Sequence, residues 1–193
     1  MNPTEPKWKS LVVETTSPVF SPEQCQKIID MGESLKKEQA QVGSSMPQGK
    51  QDTEKRITSI SWIPFDKLPE MYNDLDNLIQ RTNVNHFGFD GVRITEQAQY
   101  THYPVGGFYD WHTDNDIVGM AEPPVRKISM TLLLSPENEF EDGELELVST
   151  GKKVKLKQGQ AVLFASFIPH RVTPVTRGER KSLVMWFGGP SFR

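Results

Sequence analysis

The chain has 193 residues, 36% of them hydrophobic, and a formal net charge of −3. This size suits a single domain, in which residues 1–90 are expected to support a site built by residues 91–193. The charge gives no broad attraction to nucleic acid, no apolar run approaches a membrane span, and the N-terminus lacks the order of a signal peptide. With Cys25 as its single cysteine, we expect a cytoplasmic protein that binds neither nucleic acid nor membrane.

Two amphipathic helices are predicted in the N-terminal half. A capping sequence that begins at Ser21 predicts a first helix over residues 22–37. Apolar residues at helical spacing predict a second helix that begins near Pro69 and ends at residues 81–83. Strands are expected at 11–14 and 56–63, and both helices are expected to pack on the outside of a sheet.

Short strands separated by turns are predicted for the C-terminal half. Residues 83–91 are expected to form a loop before them, and turn sequences such as Asp142-Gly143 lie between them. Many short strands with regular turns are typical of a β-sandwich or a jelly roll, and periodicity alone leaves both open. The strands are expected at 92–103, 127–134, 144–149, 153–156, 161–164, 170–175 and 180–187.

His112, Asp114 and His170 form a candidate metal site. Residues two apart on an extended strand project to the same side, so His112 and Asp114 are expected to face the same way. A second imidazole from a later strand, that of His170, would complete two histidines and one carboxylate on one face of a metal. This is the ligand set of non-heme Fe(II) oxygenases. The alternative for a His-x-Asp taken alone is a surface histidine paired to a carboxylate.

Strand parity distinguishes two cations in the last predicted strand. Arg180 and Trp186 share one face of that strand, whereas Lys181 lies on the other. Arg180 is the better candidate for binding a carboxylate, because its planar guanidinium can bond both oxygens and stays charged when desolvated. The alternative is a surface arginine in a charged turn beside Glu179.

Several motifs of the chain resemble those of the prolyl 4-hydroxylase-like Fe(II)/2-oxoglutarate dioxygenases, most closely the bacterial and phage group. The family pattern Tyr-x-x-Gly-Gly-x-Tyr-x-x-His-x-Asp is filled from Tyr103 to Asp114. His170 and, ten residues later, Arg180 match the family's distal histidine and its co-substrate cation. The resemblance covers roughly residues 90–190, and arginine in place of lysine is typical of the bacterial group.

The resemblance implies an α+β, mainly β fold. Its core would be a double-stranded β-helix (jelly roll, cupin-like), with the N-terminal helices packed on the outside of one sheet. One departure from the family pattern is Asp142-Gly143, where relatives often have two glycines. Aspartate tolerates the same tight turn, so we expect the geometry to be kept.

The resemblance also implies a set of ligands. Fe(II) would be held by His112, Asp114 and His170, with 2-oxoglutarate as co-substrate, O2 as oxidant and ascorbate in support. Arg180 and the hydroxyl of Tyr103 would bind the far carboxylate of 2-oxoglutarate. A buried aromatic residue of the core is the alternative for Tyr103.

Further residues are candidates for contact with the substrate. Tyr109 and Trp186 are expected to line the pocket, although core packing would explain Trp186 equally well. The polar loops 38–53 and 115–124 are long enough to act as lids over the site, or to be ordinary surface.

The implied activity is hydroxylation of an unactivated C–H bond, with release of succinate and CO2. The first hypothesis for the substrate is a prolyl residue in a peptide or protein. The second is a free amino acid or another small metabolite in a more closed pocket. A different class, a non-catalytic metal-binding jelly-roll module, would have no use for Arg180 at its spacing from His170. The sequence predicts no oligomeric state.

Overall fold

The computed structural model describes residues 10–39, 55–115, 122–148 and 151–192. Two helices, α1 Pro22–Ser34 and α2 Pro69–Thr82, accompany a mainly β structure, and a π-helical turn at Asn83–Phe87 continues α2. The strands are β1 Val12–Glu14, β2 Glu38–Gln39, β3 Arg56–Ile57, β4 Ser59–Ile63, β5 Arg93–Ile94, β6 Ala98–Tyr103, β7 Phe108–His112, β8 Val125–Leu133, β9 Phe140–Asp142, β10 Leu145–Leu147, β11 Lys152–Val154, β12 Ala161–Ala165, β13 His170–Val172, β14 Val175–Gly178 and β15 Arg180–Gly189.

The strands form two main antiparallel sheets. The major sheet has the order β1-β12-β8-β15-β6-β4-β2, with β5 beside β15, and the minor sheet has the order β11-β10-β13-β7-β3. A two-stranded ribbon of β14 and β9 lies outside both sheets. Neighbours in the major sheet come from distant parts of the chain, so this architecture depends on long-range pairing rather than on local hairpins.

The helices pack on the outer face of the major sheet. Alternate residues of β8 and β15 supply this face, and they form one buried cluster with apolar residues of both helices. The capping box predicted at Ser21 is present: its hydroxyl accepts from the Gln24 N–H, and its own N–H donates to the Gln24 side chain. The cluster includes Ile128, Met130, Leu132, Leu183, Met185, Phe187, Cys25, Ile28, Leu75 and Ile79.

The inner face of the major sheet differs in character. At one end it joins the minor sheet in a second apolar cluster, which contains Phe164, Leu145 and Val172. Elsewhere its inward-facing residues are buried and polar. They include Gln99, Thr101, Ser129, Thr131, Arg180 and Ser182. The space between the sheets is therefore suited to a polar ligand rather than to close packing alone.

Both predicted helices are present, but their ends differ from expectation. Helix α1 ends at Ser34 rather than at residue 37, because Leu35 is extended with φ −86° and ψ 161°. The prediction of a loop at 83–91 is wrong for Asn83–Phe87, which form the π-helical turn. The Asn83 side chain stabilises this turn by accepting from the N–H of Phe89 and donating to its carbonyl.

The strand predictions are wrong where the alternation of polar and apolar residues is interrupted. Strands β2 and β9 were not expected, and β7 was absent from the expected strands although His112 was expected on an extended segment. The predicted strands 56–63, 92–103 and 170–175 are each divided in two. Pro174, which has no N–H to donate to a ladder, lies in the last of these interruptions.

Other expectations concern the lids and the membrane. Of the two predicted lid loops, residues 40–53 and 116–121 lie outside the described residues. No helix in the described ranges is long and apolar enough to cross a bilayer, and the cytoplasmic location stays a prediction.

Gly32 is the point of closest approach between α1 and the major sheet. A Cβ there would lie 2.3 Å from Cγ of Tyr100, and its carbonyl accepts a 2.6 Å hydrogen bond from Ser61. We expect Gly32→Ala to lower the free energy of unfolding by about 1–3 kcal/mol, because overpacking outweighs the better helix propensity of alanine. Denaturant titration would measure this. Lys27→Ala, at an exposed position of the same helix, should change stability by less than about 0.5 kcal/mol.

Candidate metal centre and co-substrate pocket

Pairing of β7 with β13 brings two histidines together. His112, the last residue of β7, is opposite His170, the first of β13, and Tyr109 is opposite Val172. Three residue steps on β7 thus match two on β13, which is a β-bulge. The bulge puts Tyr109 and His112 on the same side, and their rings stack with centroids 3.5 Å apart.

Asp114 reaches the site from a bend rather than from a strand. Strand β7 ends at His112, so the prediction that His112 and Asp114 lie on one regular strand is wrong. The N–H groups of Asp114 and Asn115 both donate to the carbonyl of Ser166, at 3.0 and 3.1 Å. The Asn115 side chain also donates to the carbonyl of Arg126 at 2.6 Å. These bonds, and not strand parity, fix the position of the carboxylate.

The three side chains converge on one small space. Nε2 of His112 lies 3.7 Å from Oδ1 of Asp114, and Nε2 of His170 lies 3.5 Å from Oδ2. All three donor atoms lie within 4.8 Å of one another. Each Nδ1 is close to a backbone carbonyl, that of Asp110 at 2.7 Å and that of Ile168 at 3.0 Å. Because a carbonyl only accepts, each Nδ1 must donate, which leaves each Nε2 lone pair free for a metal.

Burial and charge put these groups in the protonation states that a metal needs. Burial, with the charge of His170, lowers the pKa of His112 to about 4. Burial alone would raise the pKa of Asp114, but the two histidines outweigh it and lower that pKa, with help from Ser129 and Trp186. Neutral His112 and ionised Asp114 are therefore the forms present near pH 7, and these donors fit a divalent ion such as Fe(II).

Arg180 is buried and has no anionic partner among the described residues. Only 4% of its surface is exposed, and its Nη1 donates to the hydroxyl of Ser182 at 3.2 Å. Its cross-strand neighbour is Tyr103, whose ring centroid lies 5.3 Å from the guanidinium carbon. Burial lowers the pKa of Arg180. A buried cation is stabilised by a paired anion, so this position fits the carboxylate of a ligand.

The turn before β10 lies against the Arg180 side chain. Asp142 has a φ of 59° and Gly143 a φ of 68°, so aspartate does adopt the left-handed conformation expected of it. A Cβ at Gly143 would lie 2.7 Å from Val175 and 3.1 Å from Cδ of Arg180. Glycine is required here because the backbone packs directly on the stem of the arginine.

Residues 98–188 match the family described as the 2OG-Fe(II) oxygenase superfamily. The match contains the whole cluster of two histidines and one carboxylate, together with Arg180. Over this segment, which is just under half of the chain, the sequence is similar to that superfamily.

PKHD-type hydroxylases are similar to the chain over part of their length. A PKHD-type hydroxylase of Hyphomonas neptunium is 43% identical over 84 residues, which are 42% of this chain and 38% of the relative. One from Teredinibacter turnerae is 39% identical over 118 residues, 58% of this chain and 52% of the relative. The matched segment thus spans about half or less of these relatives.

Solved structures share the fold over nearly the whole chain. A prolyl-4-hydroxylase of Pseudomonas putida superposes with a TM-score of 0.71 at 20% identity, covering 95% of both chains. A prolyl hydroxylase of Trichoplax adhaerens, in complex with a hypoxia inducible factor peptide fragment, gives a TM-score of 0.72 at 20% identity, covering 94% of this chain and 84% of the other. The predicted double-stranded β-helix with outer helices is confirmed.

Two aromatic walls flank the candidate metal ligands. On one side Trp186 packs against Trp62, with ring centroids 5.9 Å apart, and the guanidinium of Arg126 lies 3.9 Å from the Trp186 ring. On the other side the guanidinium of Arg56 lies 4.3 Å from the ring of Tyr109. Both aromatic residues predicted to line the pocket are therefore beside the site.

Lys181 points away from this space, as the parity of β15 predicts. Its ammonium lies 3.4 Å from Glu33 of α1 and 3.7 Å from Glu179. His102, next to Tyr103, likewise faces the outer side, 3.2 Å from Glu179. Arg180 is therefore the cation of the pair that faces the inside of the barrel.

Sequence reasoning missed several residues around the site. Ser129 donates to the hydroxyl of Ser166 at 2.9 Å, and both lie beside Asp114. The alternation of Ser129 and Thr131 with apolar residues in β8 is a signal that could have identified this polar inner face. No local pattern identifies Ser166 or Asn115, because their bonds join segments far apart in the chain.

Removal of the carboxylate should abolish metal binding. We expect Asp114→Ala to weaken Fe(II) affinity by more than about 100-fold, because even outer-sphere partners of metal ligands contribute about 10- to 100-fold. Anaerobic calorimetric titration with Fe(II) measures this. Asp110→Ala is the matched control, because only the backbone carbonyl of Asp110 contacts His112. The Fe(II) affinity of this variant should be that of the wild type. Equal affinity of the Asp114 variant would exclude this metal site.

Proposed function

We propose that the chain is an Fe(II)- and 2-oxoglutarate-dependent dioxygenase that hydroxylates an unactivated C–H bond, most favourably of a prolyl residue in a peptide or protein. One observation carries the proposal. The metal-ligating cluster of His112, Asp114 and His170 lies within the same barrel as Arg180, a buried cation that has no described anionic partner.

In this proposal His112, Asp114 and His170 hold Fe(II). The bonds from each Nδ1 to a backbone carbonyl orient the imidazoles before the metal arrives, so little freedom is lost on binding. Asp114 is the only anionic ligand of the three. Its pKa is lowered, so that no proton has to be displaced from it at neutral pH.

Arg180 and Tyr103 would bind the far carboxylate of 2-oxoglutarate. The guanidinium offers a planar pair of donors, and the Tyr103 side chain, 3% exposed, lies beside it on β6. The 2-oxo acid end would lie toward the metal ligands. The polar inner face, which includes Gln99 and Thr101, can accommodate the rest of the molecule without burying unpaired groups.

With these groups bound, the iron and O2 supply the oxidising power that converts a C–H bond to C–OH while 2-oxoglutarate becomes succinate and CO2. The chain's own residues position both molecules and exclude water. His170 and Trp186 are both buried, with 5% and 6% of their surface exposed, whereas Tyr109 and His112 are half-buried. A substrate would therefore approach from the Tyr109 side of the site.

A prolyl substrate is supported by the comparison with solved structures. Solved structures with the same fold include prolyl hydroxylases, one of them with a peptide bound. The part played by ascorbate stays a prediction.

The direct test is succinate formation from 2-oxoglutarate by the purified protein supplied with Fe(II) and air, with and without ascorbate and proline-containing peptides. Stimulation by peptides, with a mass increase of one oxygen on proline, would establish the activity. Slow turnover without peptide stimulation would retain the iron chemistry and direct the search to small metabolites. Iron binding without any succinate would contradict the proposal and leave a metal-binding module.

Arg180 and Lys181 provide a matched pair for testing the co-substrate site. We expect Arg180→Gln to raise the 2-oxoglutarate concentration needed for half-maximal succinate formation by about 30-fold or more, because truncating one partner of a buried charge pair costs about 2–5 kcal/mol. Lys181→Gln, which alters a cation on the outer face, should leave this 2-oxoglutarate concentration unchanged. The reverse result would place the anchor on Lys181.

A further inference from the structure

Arg56 is a second guanidinium at the site, and its position is unusual. It lies on β3 opposite Tyr109, and its Nη2 donates across the barrel to Oε1 of Gln99 at 3.4 Å, a long bond. Its Nε is buried and has no hydrogen-bond partner among the described residues. Arg56, Tyr109 and His112 form successive layers of one stack, so the cation is one ring removed from a metal ligand.

Two other cations near the barrel, unlike Arg180, have their charges compensated. Arg126 makes a two-pronged ion pair with Glu96, and Lys181 is beside Glu33. No carboxylate in the described ranges lies within ion-pair distance of Arg56. Among the described residues its partners are the face of a tyrosine and one amide oxygen, and within that part of the chain Nε and much of the fork have no acceptor.

The proposed ligands do not neutralise Arg56 either. The two positive charges of Fe(II) would be balanced by Asp114 and by the 1-carboxylate of 2-oxoglutarate. The far carboxylate would be balanced by Arg180. With metal and co-substrate bound, the charge of Arg56 therefore remains without a counter-charge from the described part of the chain, and it lies beside the ring that stacks on His112.

We propose that Arg56 binds a carboxylate of the substrate that is hydroxylated, supplied either by an acidic side chain next to the reacting residue or by a free C-terminal carboxylate. This inference rests on the proposed function and specifies its substrate class. The planar fork can bond both oxygens, and the Tyr109 ring beneath it fixes its plane. Because only one ring separates Arg56 from His112, the carboxylate must belong to the reacting residue or to an immediate neighbour.

The first test compares matched probes on the wild-type protein. Acetylated peptides carrying Pro-Asp or Asp-Pro are paired with their Asn counterparts, and peptides ending in proline are paired as free acid and amide. Binding is measured by calorimetry with Fe(II) and 2-oxoglutarate under anaerobic conditions, so that no turnover is needed. In at least one pair the acid should bind about ten- to a hundred-fold more tightly than the amide, and the pair that responds identifies the source of the carboxylate.

Variants then assign the preference to Arg56. Arg56→Gln should bind the acid and amide probes with equal affinity, and Arg56→Lys should retain part of the preference because the charge remains. Arg56→Glu should favour a probe with lysine in place of aspartate. Arg81→Gln, on the outer surface of α2, is the control and should keep the full preference of the wild type.

Two results would overturn the inference. One is the absence of any probe pair in which the acid binds more tightly, including the case in which no probe binds. The other is an Arg56→Gln variant whose peptide-free turnover needs a higher 2-oxoglutarate concentration, which would assign Arg56 to the co-substrate. Failure of the proposed function has a different signature, because acid-selective binding would then persist while the wild-type protein forms no succinate under any condition.

Discussion

The register between β7 and β13 is the constraint on which the site depends. It places His112 opposite His170, and the bulge beside that pair turns Tyr109 to the same side as His112. A shift of the pairing by one residue would place the two imidazoles on opposite faces of the minor sheet. The register is in turn fixed by apolar residues, such as Val172 of β13, that pack in the inner cluster. The arrangement of the two histidines therefore follows from strand pairing, and burial of apolar side chains fixes that pairing.

The outer face of the major sheet contributes stability, whereas its inner face carries groups of the candidate site. Its outer face is an uninterrupted apolar layer beneath the helices, whereas its inner face carries buried polar groups and one uncompensated arginine. Burial of an unpaired charge costs several kcal/mol even after relaxation. The apolar outer layer, in which side chains such as Leu132 and Leu183 are fully buried, contributes about 1.5–3 kcal/mol for each large side chain and can offset that cost. A barrel with a polar interior is thus tolerated because its helices supply a second core.

Much of the fold and of the site could be predicted from sequence, and the errors have physical causes. The start of α1 was predictable because its cap is local, as the bonds between Ser21 and Gln24 show. The orientation of Arg180 was predictable because β15 is regular at that point. Strand β7 was missed because its bulge breaks the alternation that defines a strand.

Asp114 shows why a correct residue can be predicted for a wrong reason. The His-x-Asp spacing suggested a shared strand, yet Asp114 lies beyond the strand and is positioned by the carbonyl of Ser166. That carbonyl belongs to a segment some fifty residues away. A motif therefore indicated the ligand set, whereas the bonds that place the carboxylate depend on tertiary contacts that no spacing encodes. Of the polar residues around this carboxylate, Ser129 was indicated by the sequence, through the alternation of polar and apolar residues in β8.

The two imidazoles are oriented by the same device but supported by different parts of the molecule. Each donates from Nδ1 to the carbonyl two residues before it, and each contacts one aromatic ring. For His170 that ring is Phe164, which lies in the inner apolar cluster. For His112 it is Tyr109, whose other face meets Arg56 at the open side of the barrel. His170 is thus held by packing in the apolar cluster, whereas the support of His112 ends in a guanidinium whose Nε has no hydrogen-bond partner among the described residues. A carboxylate bound there would brace the His112 side of the metal centre when a substrate is present.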